Sequence, residues 1–253
     1  MLTAEQEPFL TVRSLATTYS SGYVIRTHTH DWHQLLYACS GAMTVQAGRS
    51  SWMIPPGKAV FIPAQCGHSI RMWGNVAMRS LYLPTSLDAP ALQPSECRVL
   101  TVTPLLRELI LRVIQLAALD ARVTVHNLLL GVLLEELHSA PVTPWMLPLP
   151  LDPRANVVAQ RVLEFPAGAE TLDELARRYG VGRRTLERLF QVETGIPFGL
   201  WRQKARLLYS VRVLAEGNSV TDAALDSGYT SVSAFIAAFK QTFGCTPGQL
   251  DPP

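Results

Sequence analysis

The sequence predicts an α+β protein in which a β-rich N-terminal domain is followed by two helices and an all-helical C-terminal domain. Three observations lead to this prediction. Short apolar stretches alternate with Gly/Pro turns up to about residue 90, the apolar period becomes helical over 103–139, and a helical pattern occurs twice in the last third of the chain. The 253 residues are 48% hydrophobic and 17% charged, which is typical of a globular chain long enough for two domains.

Residues 1–100 are predicted to form a β domain. Their apolar stretches at 34–39, 43–46 and 59–63 have the length of strands. The turns between them fall at glycine and proline (Gly41, Gly48, Pro55, Pro56, Gly57, Gly67). Strands at this spacing favour a small sandwich or barrel.

Residues 101–140 are predicted to form two antiparallel helices, because their apolar residues recur every three or four positions. Two interpretations of the pair stay open: it covers an open edge of the β domain, or it meets the same pair of a second subunit in a homodimer. The two apolar stripes are Leu105, Leu106, Leu109, Ile110, Val113, Ile114 and Val125, Leu128, Leu129, Val132, Leu133, Leu137.

A proline-rich segment at 141–153 is predicted to link this part to a C-terminal domain at 154–253. Its five prolines exclude a continuous helix.

Two helix-turn-helix units are predicted at 171–192 and 219–241. Ala176 and Gly180 recur 48 residues later as Ala224 and Gly228, and Phe190 recurs 49 residues later as Phe239. In each unit a small Ala allows close helix crossing, and a Gly at the turn can adopt positive φ. Two copies in register indicate binding to double-stranded DNA.

The basic residues are concentrated at the first unit and the helix that follows it. The net charge is only +2, yet residues 177–212 hold nine cations against Glu187 and Glu193. Phosphate affinity depends on such local charge, which a nucleoid-type structural protein would spread over its surface. The nine are Arg177, Arg178, Arg183, Arg184, Arg188, Arg202, Lys204, Arg206 and Arg212.

Further motifs extend the repeat: Arg184-Thr-Leu-x-Arg-Leu-Phe190, Gly195, Pro197, Trp201-Arg-x-x-x-Arg206-Leu, Ser233-x-Phe-x-x-x-Phe-Lys240 and Gly244-x-x-Pro247. With them, residues 155–250 resemble the AraC/XylS family of transcription regulators. The resemblance implies sequence-specific DNA binding, contact with RNA polymerase in an activator, and dimerisation through the helical pair. Where the family usually ends in an aromatic residue and Arg, this chain has Leu250 and Asp251, which predicts a weaker terminal anchor. The segments 34–38, 55–64 and 201–208 resemble the subgroup that controls a neighbouring exporter or metabolic gene.

Recognition helices of this motif enter the major groove with their N-terminal side chains at the base edges. By family position Arg184, Glu187 and Arg188 face bases and Arg183 lies near phosphate. The second unit carries no long polar side chain on its equivalent face, so its half-site is expected to be degenerate or A/T-biased. The predicted DNA-binding residues are Arg183, Arg184, Thr185, Glu187, Arg188, Arg202, Lys204, Arg206, Thr230, Ser231, Val232, Ser233, Ile236, Ala237 and Lys240.

The β domain carries two histidine motifs, Gly22-(five)-His28-Thr-His30-(three)-Gln34-(six)-Gly41 and Gly57-(five)-Pro63-Ala-Gln-Cys-Gly-His68. They resemble the two cupin motifs, with Gln34 where metal-binding cupins have Glu, Gln65 where they have Gly, and Met72 where they end in Asn. His28, His30 and Gln34 share one strand parity.

Two kinds of site fit these residues. Three imidazoles (His28, His30, His68) and the amide of Gln34 could hold one divalent ion, Zn²⁺, Ni²⁺ or Fe²⁺, with affinity falling as pH drops through about 6. The alternative is a metal-free pocket for a small-molecule effector, lined by Gln34, Tyr37, Trp52 and His68. His33, on the opposite parity, is expected to be a surface residue or a satisfied core group.

The competing function is a dioxygenase-like cupin metalloenzyme with an accessory nucleic-acid-binding domain. It is disfavoured because no base is positioned for catalysis and tandem DNA-binding units serve no purpose in such an enzyme.

The sequence shows no signal peptide or membrane span, and its four cysteines follow no metal or disulfide pattern. A cytoplasmic protein with reduced thiols is therefore expected.

Overall fold

The structure is a computed structural model, and it describes residues 9–48 and 50–250. These residues divide into two compact units, the first comprising 9–48 with Ile54–Pro144 and the second 50–53 with Trp145–Leu250. Strands are the main regular structure of the first unit and helices make up most of the second, which confirms the predicted α+β fold class. No helix in the described part of the chain is long and apolar enough to cross a membrane.

The strands follow one another closely in the first half of the chain. They are β1 (Leu10–Tyr19), β2 (Val24–His28), β3 (Trp32–Ala38), β4 (Ala42–Ala47), β5 (Ser50–Ile54), β6 (Lys58–Ile62), β7 (His68–Trp73), β8 (Val76–Pro84), β9 (Arg98–Thr101), β10 (Ala118–Asp120) and β11 (Met146–Pro148).

The helices begin after β9. They are α1 (Pro104–Leu116), α2 (Thr124–Ser139), α3 (Pro153–Glu164), α4 (Leu172–Arg178), α5 (Arg183–Thr194), α6 (Phe198–Ala215), α7 (Val220–Asp226) and α8 (Val232–Phe243).

Antiparallel strand pairing builds two sheets in the first unit. One has the order β10-β1-β8-β3-β6-β9, and in the other β4, β7 and β2 are neighbours in that order. The register sets His28 opposite His68, and Gln34 opposite Tyr82. Since β2 and β3 belong to different sheets, the polar residues predicted to share one site come from both.

The two predicted helices cover a face of the six-stranded sheet, not an open edge. Leu106, Ile110 and Leu133 pack in one buried cluster with Leu35 and Leu81 of that sheet. Helix α2 is apolar on a second side as well, and three of its residues are largely exposed (Val125 57%, Leu128 66%, Val132 46%). Their spacing of three and four residues puts them on one stripe, called here the outer stripe of α2.

The second unit contains the predicted helix-turn-helix units as α4–α5 and α7–α8. Capping boxes begin both first helices, at Thr171 and Ser219, and Gly180 and Gly228 turn the chain with φ of 64° and 80°. A Cβ at Gly228 would lie 2.9 Å from Cα of Ala167, so close packing as well as φ requires glycine here.

The predicted linker is partly built into the second unit. Strand β11 pairs with β5, and Trp145 stacks on Phe243 of α8 with ring centroids 4.0 Å apart. The indole N–H of Trp201 donates to the carbonyl of Pro148 at 2.7 Å. Leu250, predicted to be a weak anchor, is buried with 6% exposure.

Candidate effector site and DNA-reading helices

Three imidazoles of the first unit lie side by side. The ring of His68 is 4.3 Å from that of His28 and 5.1 Å from that of His30, measured between centroids. One ring nitrogen of each lies within 4.8 Å of the others. The register of β2 and β7 brings two of them together, whereas His30 lies just beyond the end of β2 and not on the strand as predicted.

Each of the three rings uses Nδ1 to bind a backbone carbonyl. The acceptors are Arg26 for His28 (2.9 Å), Trp32 for His30 (2.6 Å) and Cys66 for His68 (2.8 Å). A carbonyl oxygen only accepts, so each Nδ1 carries the proton and each Nε2 of a neutral ring has a lone pair. A carbonyl on Nδ1 is the usual outer partner of a histidine that binds a metal through Nε2.

Gln34 adds a fourth candidate ligand atom, its side-chain oxygen, next to these three nitrogens. Its Oε1 lies 3.1 Å from Nε2 of His30, while its amide nitrogen donates to Ser80 at 3.1 Å and Tyr82 at 3.2 Å. With His30 neutral, two acceptors face each other, and a cation between them would satisfy both. Turning the amide over instead lets it donate to His30 and accept from both hydroxyls, which is the metal-free arrangement.

His68 is the strongest indication that something binds here. It is fully buried, and its Nε2 has no hydrogen-bond partner among the described residues. Burial, with smaller contributions from His28 and His30, lowers the pKa of His68 to about 4 against the hydrogen bond to Cys66. The ring is therefore neutral near pH 7, with an unused acceptor directed into the protein.

This buried ring should make the metal-free first unit sensitive to acid. The unfolded chain binds a proton at His68 below its ordinary pKa of 6.5, and the folded chain does so only near 4. Above pH 6.5 protonation of His68 does not reduce the free energy of unfolding. Between pH 6.5 and pH 4 that free energy falls by up to about 3 kcal/mol. Urea unfolding with chelator present measures the loss. His68→Gln should show a shallower decline, and identical slopes for both proteins would refute the assignment.

Two residues of the predicted effector pocket lie elsewhere. Tyr37 is three positions from Gln34 and so faces the other side of β3, where it packs in the cluster with Leu106 and Ile110. Trp52 lies on β5 and is buried within the second unit. The pocket prediction is therefore corrected, and Ser80 and Tyr82 of β8 take their place beside Gln34.

His33 is half-buried and hydrogen-bonded, between the two roles expected for it, a surface residue and a satisfied core group. Its Nδ1 accepts from the amide of Ala64 at 3.3 Å, and its ring stacks on Phe61 at 5.4 Å. Burial, followed by the nearby His30, lowers its pKa.

The loop before β7 is tied to the site. Gln65, which replaces the usual cupin glycine, adopts φ of 63°. Its amide donates to the carbonyl of His30 at 2.9 Å, and its side chain donates to Asp31. The left-handed backbone explains why glycine is usual at this position.

The first recognition helix, α5, presents a basic outer face. Arg184 and Arg188 are exposed and form no salt bridge with any residue the structure describes, whereas Arg183 pairs with Asp173 at 2.7 Å and Glu187 at 3.1 Å. Thr185 is half-buried on the same helix. Two guanidinium groups are thus available for base edges, while Arg183 and Glu187 are already paired.

The cations of α6 have a structural role that the sequence did not reveal. Arg202 donates to the carbonyl of Glu170 at 2.6 Å, and Arg206 donates to those of Pro166 at 2.7 Å and Gly168 at 2.9 Å. Burial lowers the pKa of Lys204. Arg202 and Arg206, predicted to bind DNA, fasten the 166–170 loop to α6, because that loop crosses the helix where their guanidinium groups project.

The second recognition helix, α8, has the predicted outer face. Phe235 and Phe239 point into the core, and Ser231 caps the helix by accepting from the amide of Ala234. The remaining predicted contacts are exposed or half-exposed: Thr230, Ser231, Val232, Ser233, Ile236, Ala237 and Lys240.

A chain that carries a tandem DNA-reading unit and a β domain with a polar interior site has the parts of a transcription regulator with a ligand-binding domain. Residues 14–137 match the model of the AraC-like ligand binding domain, and residues 175–251 match that of a helix-turn-helix domain. The chain is 32% identical over 222 residues to the HTH-type transcriptional regulator NimR of Escherichia coli (strain K12), spanning 88% of this chain and 80% of that protein. The chain therefore belongs to the AraC family of transcription regulators.

Other similarities cover parts of the chain or its fold. The HTH-type transcriptional regulator RipA of Corynebacterium glutamicum is 36% identical over 100 residues, 40% of this chain and 30% of that protein. ToxT from Vibrio cholerae aligns with 94% of this chain and 97% of its own at 12% identity and a TM-score of 0.40. The DNA-binding domain of AdpA, solved with a target DNA, aligns with 38% of this chain and 86% of its own at 28% identity and a TM-score of 0.36.

Proposed function

We propose that this regulator senses a divalent metal ion, Zn²⁺, Ni²⁺ or Fe²⁺, held by His28, His30 and His68 with Gln34 as a fourth ligand. The observation that carries the proposal is the buried Nε2 of His68, which has no partner among the described residues and lies next to two further imidazoles with the same tautomer. Imidazole nitrogens suit all three metals. The ion would draw the three rings together and so favour one arrangement of the loop that carries Cys66.

The competing effector is a small molecule in a metal-free pocket. The amide of Gln34, turned over so that it donates to His30, favours that alternative. NimR and RipA are named as transcriptional regulators, and in the described part of the chain no side chain near the site is placed as a catalytic base, so the dioxygenase-like enzyme gains no support. We place the regulator in the cytoplasm, acting on a neighbouring exporter or metabolic gene and contacting RNA polymerase if it activates.

The proposal is tested by measuring DNA affinity as a function of metal. A binding site is first selected from random duplexes with the full chain. Its dissociation constant is then compared in chelator and with each of the three ions. A sensor requires that the ion favour one of two arrangements, so the affinity should change several-fold with at least one metal. Affinity indifferent to all three would leave the small-molecule effector as the function of the site.

We also propose that the outer stripe of α2 forms the interface of a homodimer. Leu128→Glu places a charge on the stripe without touching the buried side of α2, so it should convert a particle of twice 27.9 kDa to one of 27.9 kDa. Light scattering coupled to size exclusion measures this mass. Leu200→Glu, at an exposed leucine of α6, is the matched control and should leave the dimer intact. A monomeric wild-type chain at micromolar concentration would contradict the proposal.

The two halves of each DNA site should differ in information content, that is, in how strictly each base is specified. Helix α5 offers two exposed guanidinium groups, whereas α8 offers hydroxyl and methyl groups that cannot form bidentate pairs with bases. The selected motif should therefore be sharp in one half and degenerate or A/T-biased in the other. Equal information content in both halves would contradict the assignment of these faces.

A further inference from the structure

Two cysteines of the first unit, distant in sequence, lie in contact. Sγ of Cys66 is 3.8 Å from Sγ of Cys97, and both side chains are partly exposed. Cys66 lies in the loop between β6 and β7, and Cys97 directly precedes β9. The pairing of β6 with β9 ends at Phe61 and Arg98, which holds the two loops side by side.

The surroundings of the pair allow a bond to form. A disulfide requires the two sulfurs to approach to about 2.05 Å, so they must close by less than 2 Å. Both cysteines lie in loops, where the backbone can supply such a shift. Their neighbours Gln65, Gly67, Ser95 and Glu96 are exposed, so a small oxidant can reach the sulfurs.

We propose that Cys66 and Cys97 form a reversible disulfide whose oxidant is a peroxide. The sulfur of one cysteine attacks a peroxide oxygen, the O–O bond breaks, and a sulfenic acid and one molecule of water result. The second sulfur then attacks the first, the S–O bond breaks, and the hydroxyl leaves with the second thiol's proton as another water. The two thiols lose two electrons and the peroxide gains them. A small thiol such as dithiothreitol reverses the reaction by exchange.

The disulfide would act on the histidine site through the backbone. The carbonyl of Cys66 accepts the Nδ1 hydrogen of His68 at 2.8 Å, and the amide of the preceding Gln65 donates to the carbonyl of His30 at 2.9 Å. Moving Cys66 toward Cys97 therefore disturbs the carbonyl that accepts from His68 and the backbone hydrogen bond at His30. Redox state would then regulate the effector site. This second step rests on the proposed function, whereas the formation of the bond does not.

The bond is tested on the metal-free full chain with equimolar hydrogen peroxide. Two thiols should disappear, the mass should fall by two hydrogen atoms, and peptide mapping should join residues 66 and 97, with dithiothreitol restoring both thiols. Because the two sulfurs are already in contact, the mapped disulfide should join these two cysteines and not Cys39 or Cys245. The double variant Cys39→Ser/Cys245→Ser is the matched control and should form it equally well. Oxidation that yields only sulfinic acid, links between chains, or pairs with Cys39 or Cys245 would overturn the proposal.

The coupling has two readouts. In the metal-free protein the ring nitrogen resonances of His68 should shift on oxidation, and Cys97→Ser treated alike should show no shift. Where the reduced chain binds Zn²⁺, the oxidised chain should bind it roughly 10- to 100-fold more weakly, as when an outer partner of a ligand is lost. Unchanged His68 resonances would overturn the coupling. Absence of zinc binding by the reduced chain would instead overturn the proposed metal function and leave the disulfide to its own test.

Discussion

Replacing Arg188 by Ala is expected to remove most sequence discrimination while leaving affinity for random DNA largely intact. Arg188 is exposed on the outer face of α5 beside Arg184, and neither is held in a salt bridge in the described chain. An unpaired guanidinium can bind O6 and N7 of guanine together, which contributes about 1–3 kcal/mol of discrimination. The ratio of specific to random affinity should therefore fall roughly ten- to hundred-fold.

Arg177→Ala provides the charge-matched control for this measurement. Arg177 is exposed on α4, the helix that crosses the DNA backbone in this type of docking. Loss of its charge should weaken specific and random binding by the same factor and reduce the salt dependence. Fluorescence anisotropy measures the dissociation constants for the specific and the random duplex at two salt concentrations, and these values distinguish Arg188→Ala from Arg177→Ala. If Arg188→Ala lost the same factor of affinity for specific and for random DNA, Arg188 would bind phosphate and not bases.

Replacing His68 by Ala is expected to abolish metal binding and to uncouple DNA affinity from the ion. The variant removes one of three nitrogens and the only fully buried one, so Zn²⁺ affinity should fall by more than about 100-fold, the upper range for loss of an outer partner. Gln34→Glu should act in the opposite direction. A carboxylate adds negative charge beside the ion and, unlike the amide, cannot turn over to donate to His30. Isothermal titration of chelator-treated protein measures both changes.

His138→Ala is the control, because His138 is exposed near the end of α2 and should leave zinc affinity unchanged. Purified wild-type protein with far less than one metal per chain, unaltered by His68→Ala, would contradict the metal proposal. In that case substitutions at His28, His30, Gln34 and His68 should still change the response to a small-molecule effector while basal DNA affinity is retained.

The helix-turn-helix units could be predicted because their signals are local. Thr171 and Glu174 form a capping box within one turn, and Gly180 and Gly228 adopt the positive φ expected of turn glycines. The grouping of His28, His30 and His68 followed from two spaced motifs. The placement of Tyr37 could also have been predicted, since an odd separation from Gln34 sets the two residues on opposite faces of a strand.

Other features depend on contacts between distant segments, which a single sequence does not encode in any pattern. The helical pattern of the sequence does not distinguish an Arg that projects into solvent from one that binds a distant loop, as Arg206 does. Trp52 belongs with the second unit because β11 pairs with β5, a pairing across roughly a hundred residues. The contact of Cys66 with Cys97 likewise follows from the register of β6 and β9.

Helix α6 has a consequence for the DNA that this regulator can use. It is one uninterrupted helix of 18 residues, and it packs against both helix-turn-helix units. Arg206 of α6 and Gly228 of the second unit both contact the 166–170 loop. The two recognition helices are thus fixed in separation and in rotation, and they must meet major-groove segments in the same helical phase, which repeats every 10–10.5 base pairs or so. Inserting about five base pairs between the halves would turn one of them to the far side of the duplex. A genomic search for its targets should therefore hold the spacing constant and let the bases of the second half vary.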